Sequence, residues 1–140
     1  MRNPTKKDRR KRQGMLSLEL LLVLPVILIV VLAGVEFSLM FLAKQQLTAA
    51  SREGARVASV GGNAMEVQNV VYFYLGAGNW QKATVQTILT DQSGNPLPSG
   101  APVRVIVSIP AAQAVPDILG PFGFSIAQDV ISAQTTMRKE

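Results

Sequence analysis

The sequence predicts an α+β fold: a long N-terminal transmembrane helix that continues into a small head, with a second short helix and a three-stranded antiparallel sheet. Three observations carry this. Leu20 to Ala43 is almost wholly apolar and follows a strongly basic start. Helical spacing of small and apolar residues persists beyond that run to Gly61-Gly62. Downstream, two segments rich in Val, Ile and Thr flank a cluster of turn residues. At 140 residues there is room for one domain and a membrane segment, not for two cores. The expected division is a basic leader at 1–14, a transmembrane helix at 15–43 and an exported α+β head at 44–140.

The leader holds Arg2, Lys6, Lys7, Arg9, Arg10, Lys11 and Arg12, seven of the fourteen basic residues, against the single acid Asp8. Residues 15–140 therefore carry seven basic and eight acidic residues, a formal charge of 7 − 8 = −1. A basic run can mark a nucleic-acid surface. Here it abuts a hydrophobic segment and lacks interleaved aromatics, so it reads as a positive-inside topology signal, with the N-terminus cytoplasmic and no nucleic-acid partner. Alone, the leader has too little apolar surface to fold. Leu20 to Ala43 spans 24 residues, roughly 36 Å of helix, enough to cross a bilayer. Pro25 withdraws the donor owed to the Leu21 carbonyl and should kink the helix.

Past the membrane, Ala43, Leu47, Ala50, Gly54 and Val57 recur at three- and four-residue spacing. Ala50, Gly54 and Ala58 form a small-residue stripe that admits close approach, either by another chain or by the head itself. Asn63 and Glu66 have the spacing of a capping box opening a helix over Ala64–Leu75, whose Val67, Val70, Val71 and Tyr74 share one face. Gly76-Ala77-Gly78-Asn79 ends it. Trp80 reads as a core or rim residue. Strands follow at Ala83–Thr90 and Val103–Ile109, joined through Asp91-Gln92-Ser93-Gly94-Asn95-Pro96, which implies an antiparallel hairpin. Whether an edge at Val103–Ile109 pairs with another protein stays open. Pro110 to Gly123 is a connection with a helical turn expected at Val115–Leu119, and Ser125–Met137 is the third strand.

The chain contains no Cys and no His, so disulfides, thiol nucleophiles, ordinary zinc sites and histidine acid–base catalysis are excluded. Asp91, Asp117 and Asp129 sit in no phosphate loop, nucleophile elbow or paired-carboxylate motif. The reading is non-enzymatic, with no catalytic residues, metal or cofactor.

The junction Gly14-Met15-Leu16-Ser17-Leu18-Glu19 is the most informative stretch. Glu19 places a carboxylate at the start of a hydrophobic span, where burial is costly without a partner. If the chain is cut after Gly14, Met15 gains an ammonium four residues from Glu19, one helical turn away on the same face. The alternative, a carboxylate exposed at the cytosolic margin, stays open on spacing alone. Glu36 is a second acid, about 25 Å further along the axis. It is placed to meet Lys44 or a neighbouring subunit, or to be a tolerated interfacial carboxylate. Arg52, Glu53 and Arg56 are candidate contacts to the head or a partner, or a solvated face.

These residues resemble a family. A basic leader ending in Gly14, Glu19 as fifth residue after it, and a long apolar helix resemble the class III signal of type IV pilin-like proteins. Leu22-Val23-Leu24-Pro25, Val35-Glu36-Phe37, Gln45-Gln46-Leu47 and Ala50-Ser51-Arg52-Glu53-Gly54-Ala55-Arg56-Val57-Ala58 are similar to TadE-like pseudopilins of the tight-adherence (Flp) pilus. Thr135-Thr136-Met137-Arg138 in the closing strand is similar too. The resemblance is dense over residues 9–60, weaker over 61–124, and departs in having Leu20 where an aromatic often follows the glutamate. It implies a pilin-like fold in the bacterial inner membrane. It further implies that prepilin peptidase removes the leader between Gly14 and Met15, and that Glu19 serves assembly. The partners would be the lipid bilayer, other pilin or pseudopilin subunits and the pilus assembly machinery.

Two other readings use the same helix. One is a secreted protein whose signal peptide is cut at Val31-Leu32-Ala33, before Gly34. Against it, Phe37-Ser38-Leu39-Met40-Phe41-Leu42 continues the apolar pattern beyond that cut. The other is an unprocessed single-pass scaffold, in which Gly14 is incidental.

Overall fold

The computed structural model describes residues 6–91 and 94–140, with side chains from Leu18 onward. Helix α1 runs without a break from Lys6 to Ser59, 54 residues or about 80 Å. It begins inside the expected leader, a stretch with too little apolar surface to fold alone. Lys, Arg and Gln are good helix formers, and extension of an existing helix avoids the cost of nucleation. The part of the leader at residues 1–5 lies outside the described residues. Pro25 sits within α1, and the helix continues through it.

The helix has two environments. From Leu18 to Val31 nearly every side chain is exposed, and nearly all are apolar. From Glu36 onward one face turns inward: Ala43, Leu47, Ala50, Ser51, Gly54, Ala55 and Ala58 are buried under the head. Ser59 ends α1, and Gly61 takes a φ of +93°, a left-handed turn that glycine adopts without strain.

Helix α2, Ala64–Leu75, opens with the expected capping box: the Glu66 amide donates to Asn63 Oδ1 at 2.9 Å, and the Asn63 amide donates to Glu66 Oε2 at 2.9 Å. Its buried face is Val67, Val71 and Leu75. Tyr74, expected on that face, is exposed and meets Phe73 edge-on. The inward stripe is rotated because Gly54 of α1 brings the two helices together directly over Val67 and Val71.

Strands β1 (Thr84–Ile88), β2 (Pro102–Pro110) and β3 (Val130–Arg138) form one antiparallel sheet in the order β1-β2-β3. Val107 pairs with both Val85 and Ala133, and Val105 with Thr87 and Thr135. Alternation along β2 buries Val103, Val105, Val107 and Ile109 and turns Arg104 to solvent. Both α1 and α2 lie against this inner face, giving two layers over one core. The strand at Val103–Ile109, considered as a free edge, is the central one; the edges are β1 and β3.

Two further boundaries differ from the sequence reading. The helical turn in the connection is Ala111–Ala114 (α3), not Val115–Leu119. Pro116 forces its predecessor to extend, and Val115 has φ −136° and ψ 140°. The third strand starts at Val130 because residues 125–129 form a turn, with the Ala127 amide donating to Ser125 Oγ and the Asp129 amide to the Ile126 carbonyl.

Candidate functional site

The region of interest is α1 and the place where the head first meets it. Gly14 and Met15 lie within the helix, but their side chains are not among those described. Glu19 is exposed on the apolar, outward-facing front of the helix. That front offers it no polar neighbour from the head, which begins to cover α1 only at Ala33 and Glu36.

Glu36 is different. It is 3% exposed, and its Oε2 accepts a hydrogen bond from the Leu119 amide at 3.2 Å. Oε1 is buried with no hydrogen-bond partner among the described residues. Around it is an open cleft of about 340 Å³ lined by Ala33, Phe37, Met40, Leu119, Phe124 and Ile126, almost entirely apolar. Lys44, a candidate partner for Glu36, instead donates to the Ser132 carbonyl at the start of β3. A backbone amide meets one oxygen of this buried carboxylate, and the head covers it.

Above that level the stem is fastened by polar contacts that sequence spacing did not reveal. Ser51 Oγ and Thr135 Oγ1 are 2.8 Å apart, and Ser51 also donates to the Thr48 carbonyl at 2.9 Å. Gln46 Nε2 donates to the Leu75 carbonyl at 2.8 Å and so satisfies the end of α2. The Glu140 amide donates to the Ser59 carbonyl at 2.8 Å, closing the end of α1 with the chain terminus. The signal available for these was only the placing of small polar residues on an otherwise apolar face.

The small-residue stripe is used within the chain. A Cβ on Gly54 would sit 2.6 Å from Val71 Cγ2 and 3.3 Å from Val105 Cγ1, so glycine is what lets α1, α2 and β2 meet. Glu53 and Arg56 pair with each other at 3.0 Å, and Arg56 is mainly exposed. Such a pair adds at most about 1 kcal/mol. Arg52 is exposed beside Phe41, Lys44, Gln45, Thr48 and Ala49, on the side of α1 away from the head core.

Two of the acids considered for chemistry bond within their own loops. Asp117 accepts from Ser125 Oγ at 2.6 Å, and Asp91 Oδ1 accepts from the Asn95 amide at 2.8 Å. Among the described residues no group of three or more acids could hold a metal ion.

Comparison with curated proteins and with solved structures finds no match. Residues 14–56, from the Gly14 junction through Glu19, Glu36 and the crossing of α1 with α2, match the model of the TadE-like protein family, the family that the junction and helix blocks resemble.

Proposed function

We propose that this chain is a structural minor pilin or pseudopilin that assembles or anchors a tight-adherence pilus. The observation that carries it is the family match itself, which covers the junction, both acids of the apolar helix and the start of the head. The form of α1 supports the reading. One continuous helix has an exposed apolar front and a back half built into the core of the head. A front of that kind needs either lipid or other helices around it.

In this account α1 inserts with the basic leader in the cytoplasm, held there by positive charge. Prepilin peptidase cuts between Gly14 and Met15. The head lies on the exported side of the inner membrane. Glu19, exposed on the apolar front, is then neutralised by a mature N-terminal ammonium, its own or a neighbour's, because a bare carboxylate among packed apolar helices is costly. Insertion and lateral helix packing are thereby separate requirements, and only packing calls on Glu19.

The test is Glu19→Ala in cells that assemble the pilus. The expected outcome is a protein inserted and shortened as normal, with pili lost. Normal pili from that variant would remove Glu19 from the mechanism. Unchanged size in cells lacking the peptidase would favour the unprocessed scaffold instead.

A further inference from the structure

We infer that the loop Leu119–Ala127 is a second membrane contact, through which the head rests on the outer surface of the bilayer that α1 crosses. The inference depends on α1 being inserted in a membrane. Its basis is where the loop lies and what it displays.

The position comes from α1. On the side away from the head, α1 stays uncharged and exposed through Val35, Ser38, Phe41 and Leu42, with the Ser38 hydroxyl bonded back to the Gly34 carbonyl, and presents its next polar side chain at Gln45. On the opposite side the head already covers Glu36, through the Leu119 amide, and Phe124 shares a cleft with Ala33 and Phe37. Both faces belong to one helix, so the loop lies at the height of Ala33–Met40, below the level where the other face turns polar. From Glu36 to Leu42 the helix rises about 9 Å. If lipid follows the apolar face to Leu42, the loop is immersed in the interfacial layer.

The loop is built for that setting. From Ile118 to Gln128 there is no charged residue, and Asp117 and Asp129 flank the stretch. Phe124 is 64% exposed and Phe122 47%, with Pro121 also exposed. Their display is held by backbone structure. The Phe122 and Phe124 amides both donate to the Leu119 carbonyl, at 2.9 and 3.2 Å. Gly123 between them adopts φ +90°, which turns the chain so that the two rings flank the bend. Asp117 closes the base through Ser125. Two exposed phenylalanines on an uncharged loop would be a liability in water. Continuous with the lipid-facing helix, they extend its apolar surface sideways, as amphipathic membrane-surface elements do.

The test uses the full-length chain in phosphatidylcholine–phosphatidylglycerol vesicles. The chain has no native cysteine, so an environment-sensitive fluorophore can be placed at Phe124→Cys, Ile27→Cys or Phe73→Cys. Ile27 lies midway along the exposed apolar front, and Phe73 is 83% exposed on α2. Lipids brominated at shallow or deep acyl positions then report depth. The expected result is several-fold stronger quenching at 124 than at 73, strongest with the shallow bromines, placing the label about 5–10 Å into the headgroup and acyl boundary. The label at 27 should respond most to the deep bromines.

Quenching at 27 with none at 124 beyond that at 73 would overturn the loop contact while leaving insertion intact. No quenching at 27 would instead overturn insertion, and the loop contact with it. A blue-shifted but unquenched label at 124 would also overturn the contact, since the loop would then be covered by protein, such as a second copy. To exclude partitioning by the fluorophore alone, a label at Ala127→Cys should lose its quenching when Phe122→Ser and Phe124→Ser are combined. Retained quenching there would count against the two rings as the anchor.

Discussion

Glu36 and Gly54 are two points at which the head meets the stem, and each makes a specific demand. Glu36, itself buried at the base of an open cleft, supplies the acceptor for the Leu119 amide. Glu36→Ala should strand that amide and open space beneath the loop, costing about 1–3 kcal/mol, while Glu36→Gln, which keeps an acceptor oxygen, should cost less. Thermal unfolding of the purified protein in detergent measures both; equal stability of Glu36→Ala and the parent would contradict the contact. Gly54→Ala makes the sharper case. In an open helix that change adds about 1 kcal/mol of stability. Here the new methyl meets Val71 at 2.6 Å, so the expectation is a net loss of about 1–3 kcal/mol from overpacking. A stabilised Gly54→Ala would mean that the helices do not cross there.

Among the elements, α2 was the most legible, because its start is encoded locally. Asn63 and Glu66 satisfy each other's backbone amides whatever else the chain does. Asn63→Ala should therefore cost about 1 kcal/mol, read by chemical or thermal unfolding. Its inward face was less legible: the 67, 70, 71, 74 stripe is a valid helical face, but the crossing at Gly54 selects 67, 71 and 75. The strands were visible from β-branched composition and the turn residues between β1 and β2. Which strand is central was not, since that depends on β3 pairing with β2 from across a long connection. The boundary errors in that connection trace to local bonding: Pro116 displaces the helical turn, and the Ser125–Asp129 turn shortens β3. Glu36 stood out in the sequence as an acid in an apolar run, yet its partner is a backbone amide, which no side-chain pattern announces.

For the whole molecule, one helix does two jobs that are separable along its length. From Leu18 to Val31 it is mostly apolar and uncovered, and from Ala43 onward one face belongs to the core of a two-layer head. That division explains why the family resemblance is concentrated in the stem: the segment 14–56 holds the junction, the apolar front and the contacts that orient the head. Under the proposed function, the mature subunit begins at Met15. Intact-mass measurement of the protein purified from membranes that contain prepilin peptidase tests it most directly. The expected product is a chain of 126 residues (140 − 14) starting at Met15. A full 140-residue chain, or a soluble 107-residue product (140 − 33) starting at Gly34, would contradict it.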